Sequence, residues 1–581
     1  METQSTTNKG GWKSIKYIIE CLLASIIITV VVVSGNESFE KLASVSLVMN
    51  MTFYLRSNYN MNGIFLINVV TIWTGTSNIS SLAGAYLSDA YIGKFLTLFF
   101  ASIASLLGMG MMTLTAGVPH LRPPKCNDQL NCVQPEMWQL GLLYAALGLL
   151  SLGAGGLRPC GIAFGADQFD TTTTKGRKQL QSFFNWWYLS FTVALIVALT
   201  GVVYIQTNIS WMIGFAIPTA CLLSSVVIFL IGRHTYVIKK PEGSVFSDIA
   251  EVIVASIRKR RIPYESKYSF YQEKSGSKNP NLARTHRFKC LDKAAMIVDP
   301  TSELNANGVA KNRWRLCSMQ QVEHLKCIIG ILPIWVSGVG CMLVIDQQST
   351  FGILQAIQMN RTIGSKFKIP PGWLSETAMI TLSIWIFIYE GIYVLTLKKI
   401  FKREARLLTM AMRVRIGIIM SIFCMVTAGI IERKRRNSAI NNHSYVAPMH
   451  IWWIIPQFVL SGLIEAFDNV AMMEFFTTRM PESMRTMAGA IFFVTLSISS
   501  YLNSLIVNII HKLTGMNGRT PWLGGHDLNE NRLDYYYYII AGLGVLNLIY
   551  FTLVGSKYVT PAKVIGVEEK LKQVEDGGGG V

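Results

Sequence analysis

The chain has 581 residues, of which 51% are hydrophobic and 15% are charged, and its net charge is +19. In soluble proteins about a quarter of the residues are charged, so this composition argues against a soluble protein. A large soluble helical protein would also need polar stripes, which the long apolar runs of this chain lack. In a membrane protein, an excess of basic residues indicates cytosolic loops before it indicates a nucleic-acid partner.

Apolar runs of roughly 20 residues, long enough to cross a bilayer, recur along the whole chain. They predict an all-α membrane protein with twelve transmembrane helices. The predicted spans are 36–55, 64–87, 93–117, 137–158, 183–205, 211–232, 325–346, 373–397, 414–431, 451–475, 486–510 and 535–555.

The spans divide six and six around a polar segment. The predicted domains are a cytosolic N-terminus (1–14), a six-helix bundle (15–233), a cytosolic linker (234–322), a second six-helix bundle (323–557) and a disordered tail (558–581). Two bundles joined by a linker indicate an alternating-access carrier with its site between them. The linker stretch SDIAEVIVASIRKR predicts an amphipathic helix, either on the inner membrane surface or solvated.

Basic residues predict the orientation of the chain. Clusters at 175–178, 258–261 and 398–403 follow the fourth, sixth and eighth spans, which places these loops and both termini in the cytosol. The basic run at 433–436 is an exception, because it would face outside. Cys126 and Cys132 share a predicted external loop, where a disulfide and two free thiols are both open alternatives. The plasma membrane is the default location.

Charged residues inside spans are the first functional candidates. An ionisable group at membrane depth is energetically costly, so its presence indicates a functional role. In GNESFEKL, Glu37, Glu40 and Lys41 share one helix face. A carboxylate that gains and loses a basic partner binds and releases a proton, as a proton-coupled carrier requires. Arg158, in GAGGLRPC, is the natural partner. A static ion pair between two helices is the alternative interpretation.

Three further acids fall in predicted spans and are candidates for the solute site. Asp346 ends the seventh span in MLVIDQQ, and Glu465 and Asp468 share a face of the tenth span in LSGLIEAFDNVAMMEFF. We expect aromatic residues to line the same cavity, with at least one of them only packing. These aromatic candidates are Phe39, Trp187 and Tyr204.

Several long motifs resemble the plant nitrate/peptide transporter family (NRT1/PTR family), within the proton-coupled oligopeptide transporter group of the major facilitator superfamily. GNESFEKL resembles the first-span E-x-x-E-R/K motif, GAGGLRPCGIAFGADQFD the fourth-span signature, and SFFNWWYLSF that of the fifth. GAYLSDAYIGKF resembles the loop between spans two and three, and EFFTTRMPESMR the stretch after span ten. The resemblance covers nearly the whole chain and implies the major facilitator fold. It is strongest to subfamily 2, whose members carry nitrate, glucosinolates or flavonol glycosides, and within it to the eighth branch, that of flavonol glycoside carriers.

The resemblance also implies roles. Glu37, Glu40 and Lys41 would couple protons together with Arg158, and Glu465 matches a tenth-span acid linked to gating or substrate binding. The family's cytosolic gate corresponds here to Asp89 and Lys94, although Asp89 in an ordinary loop turn is an alternative.

Two positions depart from the family pattern. Nitrate carriers of the family have a seventh-span histidine where this chain has Asp346, and an aspartate repels nitrate unless it is protonated, whereas it accepts hydrogen bonds from sugar or phenolic hydroxyls. Asp468 adds a second acid with the same effect. In addition, residues 20–34 form an atypical apolar insert before GNESFEKL. A splice junction is the favoured explanation of the insert, and a re-entrant extension or a signal peptide are the alternatives.

The predicted function is therefore proton-coupled symport of a small organic solute, of the flavonol glycoside type. Low-affinity nitrate transport and glucosinolate transport are the alternatives within the family. A channel is disfavoured because no selectivity-filter motif occurs. The D-x-x-D pair of Asp167 and Asp170 lacks a second acidic cluster, which argues against an enzyme. The expected partners are protons, a small solute and the lipid bilayer, without cofactor, metal or nucleic acid, and the oligomeric state is left open.

Overall fold

The structure is a computed structural model. It describes residues 35–124, 126, 132–168, 194, 196–231, 233, 236–238, 245–263, 268–272, 284–285, 287–305, 307–364, 367–389, 408–479, 485–516, 520–525 and 527–559. The predicted insert at 20–34, the N-terminus at 1–14 and residues 560–581 of the predicted tail lie outside these residues. Eight helical stretches in the described part are long and apolar enough to cross a membrane, and each coincides with one or two predicted spans.

The α-helices are α1 (Gly35–Asn58), α2 (Gly63–Leu87), α3 (Gly93–Gly117), α4 (Met137–Ala166), α5 (Trp211–Ile231), α6 (Val245–Arg258), α7 (Lys289–Asp292), α8 (Pro300–Glu303), α9 (Met319–Gln347), α10 (Ile353–Ile357), α11 (Trp373–Phe387), α12 (Met410–Asn441), α13 (Ile455–Ile464), α14 (Val470–Arg479), α15 (Arg485–Thr514) and α16 (Leu533–Leu553).

Single turns of π-helix interrupt or join several of these helices, at Ser88–Ile92, Ala198–Val202, Ile205–Ile209, Gln348–Gly352 and Glu465–Asn469. Such turns are rare and occur often at functional sites. Two of them lie beside acids that the sequence predicts to be functional: one follows Asp346 by two residues and the other contains Glu465 and Asp468.

In the part of the chain that the structure describes, four short strands lie in the loops. They are β1 (Met359–Asn360), β2 (Thr362–Ile363), β3 (Phe367–Lys368) and β4 (Ala447–His450). Strand β1 pairs with β4 in parallel and β2 with β3 antiparallel, so the loop after α10 is tied to the loop after α12. In the loop between α3 and α4, Cys126 and Cys132 form a disulfide, which decides between the two alternatives left by the sequence.

Contacts within the chain define two compact units. Unit 1 comprises Met1–Pro241, Gly338–Ala471 and Phe492–Leu548, and unit 2 comprises Glu242–Ser337, Met472–Ile491 and Ile549–Val581. Unit 1 thus holds most of the helices that the structure describes. Unit 2 holds the linker together with the first part of α9.

Small residues bring the helices of unit 1 into close contact. A Cβ on Gly84 of α2 would overlap the carbonyl oxygen of Gly155 in α4, and a Cβ on Gly155 would lie 2.8 Å from the Ser80 side chain. Glycine is therefore required at this crossing. Helices in a membrane often pack through close backbone approach at small residues, because the hydrophobic effect does not drive helices together in lipid.

The outer end of unit 1 is defined here as the end where α1 stops and α2 begins, which the sequence predicts to be external.

Helix α2 contacts α15 through polar side chains at several points along the helix. Asn68 Nδ2 donates to Asn508 Oδ1 at 3.0 Å, and the Ser504 hydroxyl donates to Asn68 Oδ1 at 2.7 Å. The Thr76 and Tyr501 hydroxyls are 3.1 Å apart. We call these contacts the α2–α15 seam.

Further contacts join the first and second halves of the chain at the same end. Trp373 Nε1 donates to the Leu199 carbonyl oxygen at 2.8 Å, and the Tyr204 ring stacks on Phe367 with centroids 5.9 Å apart. The Gly63 amide also donates to the Gly525 carbonyl at 3.0 Å. The outer halves of the two bundles are thus in direct contact within unit 1.

Unit 2 has its own hydrophobic core. Helix α6 buries Val252 and Ala255 against Ala294, Cys317 and Val322, the last from the first turn of α9. The predicted linker helix therefore packs on the linker itself. Its other side leaves Ile253 and Ile257 exposed next to the exposed Arg258.

Unit 2 also contains buried ion pairs. Lys326 Nζ lies 2.5 Å from Asp292 Oδ1 and 2.7 Å from Glu323 Oε1, and all three residues are buried. Lys259 pairs with Glu303 at 3.1 Å, and burial lowers the pKa of its ammonium group. Removal of one partner of such a pair would leave an uncompensated buried charge, which is strongly destabilising.

Candidate functional site

Arg158 lies near the C-terminal end of α4, on the side that faces α1 and α2. Its Nη1 donates to Asn78 Oδ1 of α2 at 2.7 Å. Its guanidinium carbon lies 6.0 Å from the centroid of the Phe493 ring in α15. Arg158 therefore contacts helices from both halves of the chain.

A narrow cleft of about 40 Å³ adjoins this arginine. Its walls include Ala43, Ser44, Leu47 and Val48 of α1, as well as Asn78 and Arg158. Positions 37, 40 and 41 precede Ser44 on α1 by seven, four and three residues, so they share its helix face. The first-span motif thus belongs to the face of α1 that lines the Arg158 cleft. The side chains of Glu37, Phe39, Glu40 and Lys41 lie outside the described part of the chain.

Asp346 lies one residue before the end of α9. Its Oδ2 accepts hydrogen bonds from the hydroxyls of Ser499 and Ser500 in α15, both at 3.0 Å. These donors are neutral, and no ion pair is described for this carboxylate among the residues that the structure covers. The serines were missed at the sequence level, where SISSYLNS in a span suggests only a polar stripe.

Helix α15 connects Arg158 and Asp346. Phe493 faces the arginine, and Ser500 binds the aspartate seven residues later, which is two helical turns or about 10 Å. Arg158 and Asp346 therefore lie against the same face of α15, about two helical turns apart along its axis. The α2–α15 seam continues the same helix face toward the outer end.

The two acids of the tenth span lie on one π-helical turn but in different surroundings. Glu465 is partly exposed. Asp468 is fully buried, beside the Cys341 thiol and against Gly417 of α12, where a Cβ would approach the Asp468 side chain to 2.8 Å. Among the described residues, no hydrogen-bond donor other than the Cys341 thiol is assigned to the Asp468 carboxylate. Asp468 therefore lies inside the second bundle, whereas Glu465 on the same turn is partly exposed.

The predicted gate residues lie where α2 passes into α3. Lys94 Nζ lies 2.5 Å from Asp167 Oδ2 at the end of α4, and Asp89 in the preceding π-helical turn is close enough to both to interact electrostatically. Asp167, which the sequence offered only as half of a D-x-x-D pair, is thus the partner of Lys94. Asp170 lies outside the described residues.

Of the aromatic candidates, only Tyr204 is described. It stacks on Phe367 and lies 6.4 Å from Trp373, in the contact between the two halves at the outer end. Trp187 and the Phe39 side chain lie outside the described residues. Tyr204 therefore packs between bundles in this conformation.

A buried amide cluster near Asp346 has no counterpart in the sequence predictions. Gln457 Nε2 donates to Gln348 Oε1 at 2.9 Å and to Gln355 Oε1 at 3.1 Å. Gln347 Nε2 donates to Asn503 Oδ1 at 2.6 Å and contacts the Tyr536 hydroxyl at 2.7 Å. These hydrogen bonds orient the amides, although one polar atom each of Gln347, Gln355, Gln457 and Asn503 has no partner among the described residues. Within the described residues, no group of His, Cys, Asp and Glu is arranged as a metal site.

The chain matches known proteins over nearly its full length. The POT family model, PTR2, matches residues 95–523. Protein NRT1/PTR FAMILY 2.8 of Arabidopsis thaliana is 53% identical over 559 residues, which cover 96% of each protein. Protein NRT1/PTR FAMILY 2.13 of the same plant is 42% identical over 551 residues, covering 93% of this chain and 86% of the relative.

Solved structures share the fold. The POT family transporter PepTSo matches with a TM-score of 0.64 at 17% identity, covering 94% of this chain and 98% of that one. An auto inhibited POT family peptide transporter matches with a TM-score of 0.65 at 16% identity, covering 95% and 98%. The predicted major facilitator fold of twelve helices is confirmed. On these matches, the chain belongs to the NRT1/PTR family of POT transporters and is a multi-pass membrane transporter, not an enzyme.

Proposed function

We propose that this transporter is a proton-coupled symporter of a hydroxyl-rich organic solute of the flavonol glycoside type. The observation that carries the proposal is the arrangement along α15, with Arg158 facing Phe493 and Asp346 bound by two serine hydroxyls. A cation beside the acidic face of α1 serves proton coupling, and a carboxylate among neutral donors serves recognition of hydroxyls.

Proton coupling follows from the position of Arg158. Ionised Glu37 or Glu40 on the cleft-lining face of α1 would attract the arginine and hold α1 against α4. A proton from the outer water neutralises the carboxylate and weakens this attraction. Arg158 keeps its hydrogen bond to Asn78, so its guanidinium still has a polar partner when the acid is neutral. The bundles can then change their arrangement with solute bound, and the proton leaves on the inner side.

The acids argue for hydroxyls and against nitrate. Asp346 and Glu465 would both repel an anion, and no cation is described in contact with either. A carboxylate accepts hydrogen bonds from several hydroxyls at once, and such charge-assisted bonds are stronger than neutral ones. A sugar or polyphenol supplies those donors, whereas nitrate supplies none.

The relatives support the finer assignment. Identity is 53% to member 2.8 but 42% to members 2.13 and 2.12, in agreement with the eighth branch of subfamily 2. We further propose that the transporter resides in the plasma membrane with both termini in the cytosol, as the basic loops indicate.

Uptake into oocytes tests the proposal. Cells that express the chain are given a flavonol diglycoside or nitrate, at acidic and at slightly alkaline external pH. We expect glycoside uptake that acid stimulates, without nitrate current. Nitrate-evoked current without glycoside uptake would show instead that Asp346 does not govern the choice of solute. Glycoside uptake that a proton ionophore leaves unchanged would contradict the coupling.

A further inference from the structure

The basic run at 433–436 violates the expected charge distribution, because it lies at the outer end of α12. Two of its members have structural roles. Arg435 is fully buried and forms a double hydrogen bond with Glu432, at 2.8 and 2.7 Å. Lys434 lies over the Trp453 ring at 5.0 Å. Arg436 has a different environment.

Arg436 lines a cavity of about 680 Å³ at this outer end. The cavity lies between the end of α12, the end of α15 and the segment that leads into α16. Its volume falls in the usual range for small-molecule sites. The polar and aromatic part of the lining consists of Arg436, Thr514, Thr520, Trp522, Glu530 and Arg532.

The lining is held in place by bonds beneath it. Arg436 Nε donates to the Asn529 carbonyl at 2.9 Å, and the Asn529 side chain accepts from Arg435 at 2.8 Å. The amide of Trp522 donates to the Thr514 hydroxyl at 3.0 Å. The amide of Arg532 donates to the Trp522 carbonyl at 2.8 Å. The buried Glu432–Arg435 pair therefore supports a preorganised wall, and preorganisation lowers the ordering cost of binding.

The chemistry of the lining selects its ligand. The lining carries two guanidinium groups, those of Arg436 and Arg532, and one carboxylate, that of the exposed Glu530, and Arg532 also lies 3.6 Å from Asp534. A guanidinium presents a fork of donors that matches a carboxylate or sulfate. The half-buried Trp522 indole lines the cavity, with its ring centroid 5.2 Å from that of Tyr535 in an edge-to-face arrangement, and the exposed Leu513 and Met516 extend the apolar side.

We propose that this outer cavity is a binding site for an aromatic organic anion, whose ring packs on Trp522 and whose acidic group is bound by Arg436. The site is distinct from the transport site, because its lining shares no residue with the Arg158 cleft. The proposal therefore goes beyond the proposed function and does not depend on which solute is transported.

Calorimetric titration of the full-length protein in lipid nanodiscs tests the site with three probes. Naphthoate carries both ring and charge, naphthamide only the ring, and cyclohexanecarboxylate only the charge. We expect naphthoate to bind at least about tenfold more tightly than either of the others, since a charge-assisted bond and an aromatic contact both contribute. Equal binding of naphthamide and naphthoate would overturn the role of Arg436.

Variants locate the bound probe. Arg436→Gln and Trp522→Leu should each weaken naphthoate binding about tenfold, whereas Trp453→Phe, at an exposed tryptophan that does not line the cavity, should not. Arg158→Gln should bind naphthoate as the wild type does. Loss of binding in Arg158→Gln but not in Arg436→Gln would place the probe in the transport site and refute the proposal. Unchanged thermal unfolding of each variant verifies folding, and Trp522→Leu serves alone if Arg436→Gln is unstable.

Discussion

At the residue scale, Arg158 is the point where three parts of the transporter meet. It bonds to Asn78 of the first half, faces Phe493 of the second half and borders the face of α1 that carries the acidic motif. A static ion pair would need only one of these contacts. An arginine with a neutral partner already in place can release a carboxylate without becoming an unpaired buried charge, which would be strongly destabilising.

This position leads to a prediction about coupling. Glu40→Gln should abolish acid-stimulated uptake while surface expression and solute exchange without a gradient persist, because an amide cannot take up the proton. Arg158→Gln should show the same loss. The measurements are uptake at two external pH values and counterflow in vesicles. Asp299→Asn, in the exposed part of the linker, is the control and should behave as the wild type. Full acid stimulation in Glu40→Gln would remove Glu40 from the coupling step.

A second prediction concerns the solute. Asp346→His should weaken glycoside uptake by about tenfold or more, since a hydrogen bond to a charged group contributes about 1.5–3 kcal/mol. The same change should introduce a nitrate-evoked current at acid pH, when the imidazole is charged. Glycoside affinity and nitrate current are measured on the same cells. Ser500→Ala, which removes one donor to Asp346, should not create nitrate current.

At the scale of elements, α15 is a helix of the second half that contacts residues from both halves of the chain. Its residues contact Arg158, Asp346 and the polar face of α2 in succession. The seam requires close approach: Gly75 of α2 is buried, and a Cβ there would lie 3.0 Å from the Tyr501 ring. The geometry of α15 therefore links the outer contact to both charged positions.

Glycine substitutions test the seam. Gly75→Val should lower the maximal uptake rate several-fold at normal surface expression, because the added methyl groups push Tyr501 away and hinder outer closure. Gly148→Val in α4 is the matched control, since a Cβ at Gly148 meets nothing within 4 Å. Uptake rates and surface labelling are compared for both variants. Equal rates would show that closure does not depend on this crossing.

At the scale of the whole molecule, the outer contacts describe one state of an alternating-access cycle. The two bundles touch through the α2–α15 seam and through Trp373 and Leu199. These contacts must break for solute to enter from outside. The disulfide between Cys126 and Cys132 lies within one loop of the first half and places no limit on this motion.

A reversible cross-link can hold this state. In a variant with Asn68→Cys and Asn508→Cys, whose native side chains are 3.0 Å apart, oxidation should stop uptake and a reductant should restore it. Each single variant, treated in the same way, should keep its activity, which controls for the native cysteines. Uptake that continues in the oxidised double variant, with the cross-link verified by mass shift, would contradict an obligatory opening of the seam.

The spans, the family and the identity of the charged positions follow from the sequence because they depend on local features. Hydropathy over 20 residues locates a span, and a motif such as GNESFEKL is read from eight consecutive residues. Arg158 and Asp346 were identified in this way. The basic run at 433–436 was recognised as an exception, although its reason was not visible.

Which residues meet was decided by the tertiary structure. Asn78 with Arg158, Ser499 and Ser500 with Asp346, and Asp167 with Lys94 are pairs separated by 73 to 154 positions. Helix periodicity gives the face on which a side chain lies but not the helix that packs against this face. That choice depends on close contacts between small residues and on the pairing of buried polar groups, which exist only when the bundles are assembled.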